Sequence, residues 1–114
     1  MEAKEKDHLL FTQLVVMFHA ATMQQLGKVQ SSISGKIERD LVGAQGSIDI
    51  LDMLREKTKG NLTADEERLI NDLLRELKLN YVDEVNKNKK QKAEGEKTGR
   101  EGTGDNREET KKEQ

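Results

Sequence analysis

A short segment in the middle of the chain carries the signals that end one helix and begin the next. It reads REKTKGNLTADEERLI over residues 55–70. The lysines before Gly60 complement the negative end of a helix, and Gly60 itself can take the left-handed conformation that ends helices. Thr63 and Glu66 then have the spacing of a capping box, which begins a helix. The predicted structural turn and cap comprises Gly60, Asn61, Leu62, Thr63 and Glu66.

The shortness of this turn constrains how the neighbouring helices pack. Apolar side chains with helical periodicity predict helices over about residues 8–26, 41–59 and 64–86, and Asp40 is the predicted N-cap of the second. Because only about three residues join the last two helices, those helices should lie side by side in opposite directions. The sequence therefore predicts an all-α fold of three helices, of which the last two form an antiparallel αα-hairpin.

The same segment superficially resembles two functional motifs. A phosphate-binding loop needs Gly-Lys-Ser/Thr after a strand, whereas this chain has Lys-Thr-Lys-Gly after a helix. A helix-turn-helix protein places the start of its recognition helix among DNA phosphates, and the acidic run 65–67 would be repelled there. We therefore expect a structural turn and no nucleic-acid partner.

Composition separates a folded region from a tail. Apolar residues make up 32% of the chain against 37% charged residues, so the core must be small. Beyond residue 87 the only apolar residue is Ala93, and such a segment cannot bury enough surface to offset the entropy of ordering it. We predict a flexible N-terminus over residues 1–7, a three-helix domain over 8–87 and a disordered polyampholyte tail over 88–114.

Several classes of function lack the residues they need. The chain has no cysteine, which excludes disulfides and thiolate metal sites, and its mixed-charge start does not resemble a signal peptide. We therefore expect a cytoplasmic protein. The two histidines, His8 and His19, lie about 16 Å apart along one helix and cannot share a metal ion. We expect no enzyme activity, no cofactor, no metal and no small-molecule substrate.

The first helix is unusually apolar. No Lys, Arg, Asp or Glu occurs from His8 to Gly27, a length that would suit a membrane span. Six polar side chains within that run argue against a span, because burying them in hydrocarbon is costly. The stripe predicted to face the other two helices comprises Phe11, Leu14, Val15, Phe18 and Ala21.

Apolar side chains also cover most of the remaining circumference of this helix. A helix at the edge of a small domain needs only one apolar stripe, so the excess should meet something outside the domain. We predict contact with another copy of the chain or with a protein partner. The alternative is a peripheral membrane-associated protein that uses the same helix. The candidate interface comprises Leu9, Phe11, Val16, Phe18, Ala20 and Met23.

The region from residue 11 to residue 85 also supports a family resemblance. Its most specific part reads IDILDMLREKTKGNLTADEERLINDLLRELKLNYV over residues 48–82. This segment resembles a bacterial family of small helical proteins known as domain of unknown function 1844. The resemblance implies a helical, cytoplasmic bacterial protein and supplies no activity, ligand or catalytic residue. The chain departs from the family pattern over residues 31–39, where the family implies a proline-containing turn and this sequence has no proline.

Overall fold

The fold consists of three α-helices. The computed structural model describes the backbone of residues 2–99 and the side chains of residues 2–91. The helices are α1 (Ala3–Gln25), α2 (Leu41–Lys57) and α3 (Ala64–Gly99), and no strand occurs within the described residues. The predicted all-α class with three helices is therefore confirmed. The chain divides into two compact units after Glu84, and the described part of the second unit is the continuation of α3.

The first helix begins earlier than predicted. It starts at Ala3, so residues 3–7 of the predicted flexible N-terminus are helical. The cause is a capping box at the very start of the chain, in which the Glu2 backbone N–H donates to Glu5 Oε1 at 3.1 Å. A cap of this kind satisfies backbone groups that a helix start would otherwise leave unpaired.

The third helix continues beyond its predicted end at residue 86. It extends to Gly99, and residues 88–99 of the predicted tail are therefore helical. This stretch is rich in Lys, Gln and Glu, which are good helix formers, and it contains no proline. A lack of apolar residues removes packing but leaves helix propensity intact. The rest of the predicted disordered tail, residues 100–114, lies outside the described residues.

Two glycines in the left-handed conformation follow the ends of α1 and α2. Gly27 has φ +79° and its N–H donates to the Gln24 carbonyl at 2.9 Å, while the Lys28 N–H donates to the Met23 carbonyl at 2.9 Å. This pair of bonds is a Schellman motif. Gly60 has φ +83°, and α2 ends three residues before it, two residues earlier than predicted.

The starts of α2 and α3 are capped by side chains. Asp40 is the N-cap of α2, as predicted, and its Oδ1 accepts from the Gly43 N–H at 2.9 Å. At α3 the Thr63 N–H donates to Glu66 Oε1 at 2.9 Å, and the Glu66 N–H donates to Thr63 Oγ1 at 3.2 Å. Leu62 packs against the core beside this capping box, while Gly60 and Asn61 are exposed.

The core is small and aliphatic, as the composition predicts. α2 and α3 each contribute three buried apolar side chains, whereas the only buried apolar side chain within α1 is Val15. A ring of half-buried residues that includes Phe11, Phe18 and Tyr81 surrounds this cluster. The buried apolar residues are Val15, Leu26, Ala44, Ile48, Leu51, Ile70, Leu74 and Leu77.

Polar side chains connect α1 to α3 at three points, at residues 8 and 19 and just after the end of α1. His8 Nδ1 lies 2.9 Å from Glu66 Oε2, and His19 Nε2 lies 3.2 Å from Glu76 Oε1. Just after the end of α1, Lys28 Nζ donates to Asp83 Oδ2 at 2.9 Å. Residue numbers rise together on both sides of these pairs, so α1 and α3 run in the same direction.

The linker between α1 and α2 folds back on itself without proline. The Ser31 N–H donates to the Lys36 carbonyl at 2.8 Å, and the Gly35 N–H donates to the Ser31 carbonyl at 2.9 Å. Ile33 lies in the resulting turn and is 96% exposed. The Asp40 N–H donates to the Gln25 carbonyl at 2.7 Å, which brings the start of α2 against the end of α1.

The capping box at α3 predicts a measurable contribution to stability. Thr63→Ala removes the hydroxyl that accepts from the Glu66 N–H, and we expect the free energy of unfolding to fall by about 1 kcal/mol. Thr63→Ser keeps that hydroxyl and should stay close to the wild type. Urea denaturation followed by circular dichroism measures both variants. Equal stability of Thr63→Ala and wild type would contradict the assignment.

Candidate interaction surface

One side of α1 is exposed and apolar. Its five large side chains, Leu9, Leu10, Leu14, Val16 and Met17, are 38–58% exposed. Three smaller or polar neighbours on the same side, Gln13, Ala20 and Ala21, are also exposed. We call these eight residues the α1 outer face. It carries no formal charge, because the chain has no charged side chain between His8 and Gly27.

The opposite side of α1 defines which residues face outward. Val15 and Thr22 are fully buried, seven residues and therefore about two helical turns apart. On the same stripe, Phe11 precedes Val15 and Phe18 lies between Val15 and Thr22, and both phenylalanines pack against the core. The exposed residues from Leu9 to Ala21 lie on the other side of the helix, over about 160° of its circumference.

The structure places the six predicted interface residues in two groups. Leu9, Val16 and Ala20 are exposed on the α1 outer face. The assignment of the other three to the outside needs correction, since Phe11, Phe18 and Met23 are half-buried and pack against the core cluster. Their spacing puts the two phenylalanines on the Val15 stripe, and the edge of that stripe includes Met23.

Two residues predicted for the inner stripe lie outside it. Leu14 is 38% exposed and Ala21 is also exposed, so both belong to the α1 outer face. Leu10 and Met17, which the sequence analysis did not include in the interface, are exposed as well. The predicted stripe is centred on Phe18, whereas the buried side is centred on Val15, about 60° further around the helix, and all four residues lie outside a stripe centred there.

The polar side chains of α1 differ in their contacts. Thr22 is buried and its hydroxyl donates to the Phe18 carbonyl at 2.6 Å. Gln25 Oε1 accepts from the Ser47 hydroxyl at 2.8 Å and so ties α1 to α2. Gln13 is exposed, and its side chain makes no hydrogen bond to any other described residue. Of these three polar groups, only Gln13 is available to a partner.

A buried carboxylate on α3 anchors the linker. Glu84 is 4% exposed, and its carboxylate accepts from Lys28 Nζ at 2.7 Å and from Arg39 Nη1 at 3.1 Å. Hydrogen bonds to Glu84 and then to Asp83 raise the pKa of Lys28 above its ordinary value. The Arg39 side chain also covers Gly27, where a Cβ would lie 2.7 Å from Arg39 Cγ. Sequence reasoning missed this cluster, because nothing local to Glu84 distinguishes it from an exposed glutamate.

The carboxylate of Glu66, at the start of α3, has a lowered pKa. The hydrogen bond from the Thr63 N–H, followed by the contact with His8, lowers the pKa of Glu66 below its ordinary value. His8 and His19 thus each contact a different carboxylate of α3. Within the part of the chain whose side chains are described, no three His, Cys, Asp or Glu residues are placed to hold a metal ion.

An open groove adjoins one end of the α1 outer face. It has a volume of about 700 Å³ and lies between the starts of α1 and α3. One lysine and two acidic residues are among its lining residues, and Leu9 connects it to the outer face. The residues that line it are Lys4, Glu5, His8, Leu9, Thr63 and Asp65. Within residues 2–99, none of the helices combines the length and the apolar character that crossing a membrane requires.

The buried carboxylate predicts a stability difference between two adjacent acids. Glu84→Gln removes a buried counter-charge from Lys28 and Arg39, although Lys28 keeps its contact with Asp83. We expect a loss of about 1–3 kcal/mol, less than for a fully buried pair, because both cations are partly exposed. Asp83→Asn is the matched control, since Asp83 is 53% exposed, and it should cost less than about 1 kcal/mol. Chemical denaturation at neutral pH compares them, and equal losses would contradict the anchoring role of Glu84.

The lowered pKa of Glu66 predicts a pH dependence of stability. Because this pKa is lower in the folded than in the unfolded chain, the contribution of Glu66 is complete above its ordinary value of 4.5 and is lost as the pH falls through the folded value. Glu66→Gln should therefore destabilise the protein more at pH 7 than at about pH 3. Denaturation midpoints at several pH values measure this, with the exposed Glu67→Gln as control. A difference from wild type that does not change with pH would contradict the prediction.

Comparison with known proteins places the chain in a family. The model of the domain of unknown function DUF1844 matches residues 8–83, which is two-thirds of the 114 residues. The matched range includes the whole α1 outer face and the capped turn before α3. Comparison with curated proteins and with solved structures returns no match. On the strength of the family model, the chain belongs to the DUF1844 family.

Proposed function

We propose that this protein is a non-enzymatic, self-associating interaction module that uses the α1 outer face as its contact surface. The observation that carries the proposal is the chemistry of that face: seven of its eight residues are apolar and none is charged, in a chain that is 37% charged. Contiguous apolar patches of this kind mark sites of protein contact. Each histidine lies against an α3 carboxylate, which supports a structural role for both.

A second copy of the chain suits this surface for an electrostatic reason. A two-fold dimer brings the same patch of each copy together, so a charge on the patch tends to lie near a charge of the same sign on the second copy. Like charges in contact across an interface cost several kcal/mol. The α1 outer face has no charge and therefore meets itself without this penalty. The family resemblance and the absence of cysteine support a bacterial, cytoplasmic setting for such a dimer.

The exposed area is sufficient for a small interface. An extended chain exposes about 1.45 Å² per dalton, so residues the size of Val, Leu and Met expose about 140–190 Å² each. Five such residues at about half exposure offer roughly 400 Å² per copy and roughly 800 Å² per pair. Gln13 and the two alanines bring the total toward the lower limit of about 1,200 Å² for specific interfaces. We therefore expect a dimer in concentration-dependent exchange with monomer.

We also infer that α2 and α3 form the antiparallel hairpin predicted from the turn. Two cross-helix hydrogen bonds support this arrangement: Arg55 Nη1 donates to Asn71 Oδ1 at 3.0 Å, and Lys78 Nζ donates to Asp52 Oδ1 at 3.1 Å. As the residue number falls on α2, it rises on α3. In this arrangement the hairpin receives the inner stripe of α1, and the outer face of α1 is left for the second copy.

Peripheral membrane binding through α1 has less support. Helices that lie in a membrane surface typically carry Lys and Arg around their apolar face, where these side chains reach the lipid headgroups. The α1 outer face has no such residues, and the helix lacks them from His8 to Gln25. Flotation with vesicles of anionic lipid tests this alternative directly. The proposed module should stay at the bottom of the gradient.

The proposed interface predicts that a charge on the outer face disrupts association. Met17→Glu places a carboxylate in the contact, and we expect the dimer dissociation constant to rise by about tenfold or more, which corresponds to about 1.4 kcal/mol. Leu79→Glu is the matched control, since Leu79 is also exposed, at 66%, but lies on α3. Sedimentation equilibrium over a range of concentrations measures both variants. A wild-type chain that remains monomeric at every concentration would refute the proposed function.

A further inference from the structure

The α1 outer face has a symmetric pattern centred on Gln13. Two large aliphatic residues precede it by three and four positions, and two follow it by three and four positions. At about 100° per residue, Gln13 lies about 160° around the helix from the buried Val15, so it is the residue at the middle of the outward side. The four surrounding residues are Leu9, Leu10, Val16 and Met17.

This symmetry corresponds to one particular way of pairing two copies of α1. In an antiparallel pair with a two-fold axis perpendicular to the helices, a residue before the axis lies level with the residue that is equally far after the axis in the second copy. With the axis at Gln13, Leu9 of one copy lies beside Met17 of the second copy, and Leu10 lies beside Val16. Every large aliphatic residue of the set then meets another aliphatic residue.

We propose that two copies pair through antiparallel α1 helices across a two-fold axis at Gln13, whose side-chain amides hydrogen-bond to each other. This inference rests on the proposed self-association and specifies its register. An amide group has both donors and an acceptor, so two glutamines related by a two-fold axis can form two reciprocal hydrogen bonds.

The polar centre explains why one register should be preferred over the others. Gln13 has no hydrogen-bond partner among the described residues, and contact with aliphatic side chains of a second copy would bury its amide. Burying an amide without a partner is costly, so displaced registers are disfavoured. A single polar residue within an apolar seam commonly selects register in paired helices.

The charged first turns of α1 favour the antiparallel direction. Lys6 lies seven residues before Gln13 and therefore on the same side of α1, so a parallel pair would place it beside Lys6 of the second copy, with like charges opposed. In the antiparallel pair centred on Gln13, Lys6 lies beside Ala20 of the second copy, where its aliphatic stem can pack. In the antiparallel arrangement, the positive N-terminal end of each helix dipole also lies beside the negative C-terminal end of the other, which is favourable.

Cysteine cross-linking tests this register cleanly, because the full chain contains no cysteine of its own. Gln13→Cys places two thiols at the proposed axis, and mild oxidation should link two copies. Within a dimer the thiols reach an effective concentration on the order of millimolar, so cross-linking should be about a thousandfold faster than for free protein at micromolar concentration. Leu79→Cys, an exposed position on α3, is the control and should cross-link at the slower rate.

Two further variants, which retain Gln13, test the direction of the helices. Leu9→Cys should not link to itself, because the two thiols would lie about 12 Å apart along the helices, beyond the reach of a disulfide. A mixture of Leu9→Cys and Met17→Cys should yield the mixed dimer, which mass spectrometry distinguishes from either homodimer. Lys6→Cys with Ala20→Cys is an independent second pair, and circular dichroism checks that each variant is folded.

The outcomes separate the register from the self-association on which it rests. Fast linking of Gln13→Cys together with the mixed dimer supports the proposed register. Fast self-linking of Leu9→Cys indicates a parallel pair and overturns the register, as does slow linking of Gln13→Cys in a chain that sediments as a dimer; in both cases the proposed function stands. A wild-type chain that is monomeric at every concentration overturns both.

Discussion

The packing of α1 through a narrow inner stripe sets both the size of the core and the surface that the domain exposes. Val15 is the one apolar side chain within α1 that is buried in the core, although α1 is the most apolar of the three helices. Its inner side meets the aliphatic residues of α2 and α3 and leaves a broad apolar surface outside. A small core and an exposed apolar face are therefore two consequences of the same packing.

Polar contacts fix the position of α1 more closely than so small a core can. The two histidines contact Glu66 and Glu76, and Lys28, just after the end of α1, contacts the buried Glu84. α1 is therefore held against α3 at three points. Buried ionic contacts add little net stability once the desolvation of the charges is counted, but removing one partner is costly. Their effect here is to set the direction of α1 and the path of residues 28–40.

These contacts leave one apolar side of α1 exposed. Elsewhere on the described surface, exposed apolar residues such as Leu79 and Val82 adjoin charged side chains of α3. The α1 outer face, in contrast, joins five large aliphatic side chains without an intervening charge. Gln13 at its centre is the polar group that a second copy can satisfy. All of these residues lie within the range that the DUF1844 model matches.

Features that depend on a few neighbouring residues could be predicted from the sequence. The left-handed Gly60, the Asp40 cap and the Thr63–Glu66 pairing can each be read locally, because the groups that interact are at most three residues apart or lie within one residue. The extent of α3 to Gly99 also has a local origin, in helix propensity, which an argument based on the core alone overlooks. The buried side of α1 and the buried position of Glu84 could not be predicted in this way. Those outcomes depend on contacts between residues 45–58 positions apart, such as Arg39 with Glu84 and His8 with Glu66, and an apolar helix offers several stripes that could have made them.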